Sequence, residues 1–198
     1  MGTLTIEQTV IDLAPDPHNP EKNFNAGLAY DSIGQTASAV SFFLRAAEYG
    51  YSNYSGQTDL IVYASLIKTS HCFAKQGERE NTVENSLRQA IAYLPARPEA
   101  YFFMSQRCER KQDYHMTYLW ASIGRAFAEE AILNPLPADV DYPLYGLDFE
   151  KAVSAWWVGR KDESEQLFTY LLDTYKLPQE YLNSCVSNLK MIRDKNAS

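Results

Sequence analysis

Cysteine is scarce and badly placed for crosslinking. Cys72, Cys108 and Cys185 are odd in number, far apart and without any CxxC spacing. That pattern argues against a disulfide framework and predicts reduced thiols, each a small buried hydrophobe. Histidine is equally sparse. His18, His71 and His115 are widely separated, and none has a suitable second ligand one helical turn away, so no metal site is expected. His71 and Cys72 are neighbours only along the chain, and adjacent helical positions face different ways. No apolar run approaches the roughly 20 residues that a bilayer-spanning helix needs. The start, Met1 to Ile6, lacks the basic and apolar parts of a signal peptide, and Ile6 stands where a myristoylation signal needs Ser or Thr. The sequons Asn53-Tyr54-Ser55 and Asn196-Ala197-Ser198 then read as chance matches. Together these absences predict a cytoplasmic, intracellular protein without membrane contact.

Positive charge is also short. Eighteen Lys and Arg face 25 Asp and Glu, a net charge of -7. An acidic surface repels phosphate backbones, which argues against nucleic acid as a partner. The densest basic stretch, Arg107 to Lys111, is interrupted by Glu109 and reads as a solvated helix face. Catalytic signatures are missing: there is no GxSxG and no glycine-rich phosphate loop. Asp139-Val140-Asp141 has the letters of a metal-holding DxD, but it sits in a proline-rich loop with no strand before it. The chain is expected to use no cofactor and to be no enzyme.

Aromatic residues, by contrast, are abundant. They make up 13% of the chain, with 14 tyrosines, and large rings of this kind can hold helices together. Period-2 strand patterns are nearly absent, and helical periodicity follows helical periodicity. Asn19-Pro20-Glu21, Arg97-Pro98-Glu99 and Leu177-Pro178-Gln179-Glu180 each open a helical run, where proline's missing N–H costs nothing and glutamate favours the positive helix end. Pro20, Pro98 and Pro178 are 78 and 80 residues apart, twice the length of a helix–turn–helix repeat with longish loops.

Inside the first unit, Gly27, Tyr30, Gly34, Ala39, Phe43 and Ala46 fall at offsets 0, 3, 7, 12, 16 and 19. Gly27 allows close helix approach with Tyr30 beside it, and Gly34 makes the turn. Phe43 is a knob between two small residues on the second helix. Ala152, Ala155, Gly159, Ser164 and Phe168 repeat offsets 0 to 16 in a later unit. This frame resembles the tetratricopeptide repeat. The resemblance implies an all-α, α-α superhelix (a TPR-like solenoid) of about four helix pairs plus a C-terminal capping helix. The pairs are expected at 20–50, 57–94, 98–133 and 144–175. Residues 1–19 form a lead-in, 20–193 one repeat domain and 194–198 a tail. A second likeness runs through Arg97-Pro98-Glu99, Asn134-Pro135-Leu136-Pro137, Trp156-Trp157, Leu177-Pro178 and Asn188-Leu189. It is similar to a repeat-like module beside family-2 sugar transferases in viral and bacterial proteins, and leaves a viral origin open.

The tetratricopeptide resemblance implies a groove lined by the first helix of each pair. Its positions here are Glu21, Phe24, Leu28 and Asp31; Ala64, Ile67, His71 and Lys75; Phe102, Gln106, Glu109 and Arg110; and Phe149, Val153, Trp156 and Trp157. The aromatic positions Phe24, Phe102 and Phe149 are read rather as packing between neighbouring repeats, because aromatic stripes at helical spacing usually form core. Trp156 and Trp157 point about 100° apart on a helix, so one is expected inside and the other partly outside. The polar residues of a carboxylate clamp are replaced by Phe24 and Leu28. The functional expectation is a non-catalytic module that binds a protein or peptide, with self-association open. The alternatives are an accessory domain of a glycosyltransferase system, or an enzyme whose site is assembled across the groove.

Overall fold

The computed structural model describes residues 5–52 and 58–196, with side chains through Asp194. The Asn53 sequon and residues 1–4 lie outside this range. Every regular element among the described residues is helical. The chain divides into two compact units. Unit 1 comprises Met1–Ala96 with Asn134–Val140, and unit 2 comprises Arg97–Leu133 with Asp141–Ser198.

Unit 1 holds α1 (Ile6–Leu13), α2 (Pro20–Ser32), α3 (Thr36–Ser52), α4 (Asp59–Lys75) and α5 (Glu80–Tyr93). The expected lead-in therefore contains a helix. Thr5 and Gln8 form a capping box at its start, satisfying two N–H groups that an eight-residue helix would otherwise leave open. α1 packs on α2. Asn19 caps α2 and Pro20 takes its first turn. A Cβ on Gly27 would lie 2.6 Å from the Phe43 ring, so only glycine permits this α2–α3 approach. Phe43 is fully buried between Ala39 and Ala46. Full burial of such a side chain contributes about 2–3 kcal/mol.

Unit 2 holds α6 (Glu99–Arg110), α7 (Tyr114–Arg125), α8 (Ala128–Leu133), α9 (Gly146–Trp157), α10 (Lys161–Thr174) and α11 (Gln179–Asn196). The second helix of the pair expected at 98–133 is not continuous but broken at Ala126–Phe127. There the Phe127 N–H bonds back to Gly124 rather than Ile123, and its ring stacks on Tyr101. In unit 2, α7 packs on α9 and α10 on α11; in unit 1, α3 packs on α4. Second helix against next first helix is the rule of a stacked repeat.

The turns inside the four pairs share one feature. Gly34, Gly77 and Gly159 have φ of 76°, 70° and 84°, and Gln112 takes the same left-handed conformation at 58° in the third pair. Glycine adopts it freely, whereas an L side chain there costs roughly 1–2 kcal/mol.

Candidate functional site

The first helices of unit 1 meet directly, α2 beside α4. Asp31 and Lys75, both groove positions, come together at 2.6 Å. The Cys72 thiol lies 3.6 Å from the same carboxylate. Burial, and then the Asp31 charge, push that thiol up to about 12, which leaves it unreactive at neutral pH. His71 is half-buried one turn before Lys75.

Phe24, by contrast, is only 1% exposed and packs 5.6 Å from Phe43, while Ala64 and Ile67 are wholly buried. These three positions are core and cannot line a surface. Part of their cover comes from a distant piece of chain. Leu136 and Ala138 pack against the cluster containing Phe24, Ala64 and Cys72. Exposure alternates through this segment: Pro135, Pro137 and Asp139 face out, while Leu136, Ala138 and Val140 face in. Every second side chain of this non-helical segment is thus turned inward.

In unit 2 the first-helix face is open. A cavity of about 320 Å3 lies between α6, α9 and α11. α6 supplies Gln106 and Glu109, three residues apart; α9 supplies Phe149, Glu150 and Val153; α11 supplies Glu180, Tyr181 and Ser184. Residues three or four apart on a helix share a face, so each helix presents one stripe to the cavity. Phe149 and Tyr181 meet edge to face at 4.8 Å, and Phe149 leans on Phe168 behind it.

Two carboxyl groups are buried on α9, and they are treated differently. Asp148 is ion-paired to Arg125 and accepts a hydrogen bond from the Tyr175 hydroxyl at 3.2 Å. Glu150 is 6% exposed. The Gln106 side chain hydrogen-bonds it, and Arg110 lends some positive potential, but burial and then the Glu109 charge push its carboxyl up to about 8. Among the described residues no lysine or arginine forms an ion pair with it. Burial, then the charges of Glu150 and Glu180, also push the Tyr181 hydroxyl up.

Of the groove positions in unit 2, Gln106, Glu109, Phe149 and Val153 do converge on this cavity. Phe102 does not: it is 2% exposed and packs 5.5 Å from Tyr142. Arg110 is exposed at the end of α6. Trp156 packs against the cluster of Leu167, Phe168 and Leu171 beneath Lys161. Trp157 is 59% exposed and stacks on Tyr114 of α7 at 4.9 Å, so neither tryptophan lines the cavity. Glu150 and the whole contribution of α11 went unread in the sequence. Glu150 sits one residue past a groove position, and an acidic residue amid Leu147, Phe149, Ala152 and Val153 was the available sign.

Among the described residues no three His, Cys, Asp or Glu side chains gather in a way that could hold a metal, and no helix is long and apolar enough to cross a membrane.

Helix pairs joined at left-handed turns, with the second helix packed on the next first helix inside each unit, define a tetratricopeptide-like helical-repeat fold. No family model and no curated protein matches the sequence. Solved structures do match, and these neighbours are tetratricopeptide-repeat proteins. The type IV pilus biogenesis factor PilW aligns with a TM-score of 0.62 at 16% identity, covering 90% of this chain and 72% of its own. MamA aligns with a TM-score of 0.56 at 15% identity, covering 85% of each chain. At these identities the likeness shows the fold. Nothing in the comparisons supports the kinship with a sugar-transferase module.

Proposed function

We propose that this chain is a non-catalytic interaction module that takes an extended peptide segment of another protein on the first helices of its repeats. The observation that carries this reading is the Asn134–Val140 segment, a non-helical stretch with alternating exposure whose Leu136 and Ala138 pack against the core of unit 1. This intrachain packing supports a face that accepts peptide, and the open α6–α9–α11 cavity is the proposed place for one from another protein. The PilW and MamA folds support the scaffold class. By its composition the partner is a protein rather than nucleic acid or membrane. Trp157, exposed beside Tyr114, is a secondary contact for that partner or for a second copy of the chain.

The test is selection of a phage-displayed random peptide library on the full chain, followed by fluorescence polarisation. Peptides should bind with micromolar affinity and weaken about tenfold or more on Ser184→Tyr, which fills the cavity while leaving the circular dichroism unchanged. Failure to select any peptide, or peptides indifferent to Ser184→Tyr, would remove the cavity from the account. The perturbed carboxyl also fits an acid–base enzyme using Glu150 and Glu109. Hydrolysis of a selected peptide, lost on Glu150→Gln, would mark that second reading.

A further inference from the structure

The cavity between α6, α9 and α11 carries a chemistry beyond that of a general peptide groove. Three of its lining residues are glutamates, Glu109, Glu150 and Glu180, and none is basic. Two of its walls are the rings of Phe149 and Tyr181, held at an edge-to-face angle of 76°. At its floor, Glu150 is 6% exposed and lacks the cation that its neighbour Asp148 has in Arg125. A buried carboxylate is costly unless paired, and aromatic faces attract cations stripped of water. From this charge complementarity we propose that the cavity is a receptor for a basic side chain, arginine before lysine, of a peptide partner, with Glu150 as its buried counter-ion and Tyr181 and Phe149 flanking its stem and head. The polarity is opposite to that of a carboxylate clamp.

Arginine fits better for two reasons. Its planar guanidinium can bond Glu150 and the Gln106 amide oxygen together, and it stacks on rings. Binding is linked to protons, because a cation favours the ionised carboxyl. The groups that face Glu150 are Glu109 and Arg110 from α6 and Glu180 and Tyr181 from α11, and burial followed by the Glu109 charge pushes the Glu150 carboxyl up to about 8. Affinity should therefore rise with pH, by up to about tenfold per unit below pH 8, and level off above it.

This inference rests on the peptide-binding reading, and the probe separates the two. Backbone amide shifts of the full chain would be followed by NMR during titration with n-butylguanidinium, its neutral isostere n-butylurea, and pentanoate. Butylguanidinium should shift Gln106, Glu150, Tyr181 and Ser184 saturably, with a dissociation constant on the order of millimolar. Butylurea, and butylguanidinium on Glu150→Gln, should bind about tenfold more weakly or not at all. Ser184→Lys, which places a cation at the cavity, should block the probe where Ser184→Met does so less. Equal binding of guanidinium and urea, or indifference to Glu150→Gln, overturns the proposal. Selected peptides that bind while the cation does not would leave the module reading standing without this specificity. Cation binding without any selected peptide would leave the receptor chemistry and remove the module reading.

Discussion

The two units present first-helix faces that are closed in one and open in the other. In unit 1 the charges on that face are settled internally, Lys75 answering Asp31, and residues Asn134–Val140 supply apolar cover. In unit 2 the corresponding helices leave a cavity whose buried Glu150 has no ion-paired lysine or arginine, only the potential of Arg110. Repetition of the helix-pair frame gives both units the same packing. What differs is which charges occupy the face. In a repeat protein the small residues and knobs specify the fold, while the face that function uses is free to vary.

The largest expected effect tests whether the frames are equivalent. Phe43 and Phe168 hold the same offset in their repeats and are both buried. Truncation of either to alanine should cost about 3–5 kcal/mol in urea unfolding. A cost under about 1 kcal/mol at one of them would break the equivalence and with it the comparison.

The next effect separates the faces by charge. Glu150 has a carboxyl raised from 4.5 to about 8, so the folded state holds its proton more tightly than the unfolded state. Its contribution is fully present below about pH 4.5 and is lost as pH climbs through 8. Glu150→Gln should match wild type near pH 5 and exceed it by a few kcal/mol at pH 9. Asp31→Asn in unit 1 removes a half-exposed pair and should shift stability by about 1 kcal/mol or less. Parallel pH profiles for wild type and Glu150→Gln would contradict the open-face description.

A smaller effect is chemical. Asp31 is one cause of the raised Cys72 thiol. Asp31→Asn should therefore speed iodoacetamide alkylation of Cys72 at pH 8.5, read by peptide mass spectrometry, with burial remaining the main protection. An unchanged rate would show that burial alone sets the thiol. The smallest effect concerns the one turn that departs from the pattern. Gln112→Gly should stabilise by up to about 1 kcal/mol, since glycine relieves the left-handed strain but adds unfolded-state entropy. Destabilisation there would mean the Gln112 side chain contributes contacts that outweigh the strain.

The repeat frame was legible because turns and close approaches depend on residue type alone. Gly27 and Gly34 could be placed from the sequence, and each performs the role assigned to it, while Gly77 and Gly159 make the equivalent turns. The third turn, at Gln112, was announced only by the break in helical periodicity, because a strained residue leaves no compositional mark. α1 was missed although Thr5 and Gln8 spelled a capping box, since Pro15, Pro17 and Pro20 drew attention to where a helix ends. Half of the cavity was legible, because Gln106, Glu109, Phe149 and Val153 follow the helical period from the frame. The other half was not. Phe24 and Phe102 look like surface anchors in a period count, but ring-on-ring packing draws them inward. Glu150 is buried by α11, a long-range neighbour that no local pattern announces.

The measurement that reaches the difference between the two faces most directly is a 13C NMR titration of the Glu150 side-chain carboxyl in the full chain, assigned with Glu150→Gln. An apparent pKa near 8, moving down when n-butylguanidinium is added, is the expected result. A value near the ordinary 4.5 of a solvated glutamate, unmoved by the cation, would mean that Glu150 is hydrated or already neutralised and that unit 2 offers no unpaired charge to a partner.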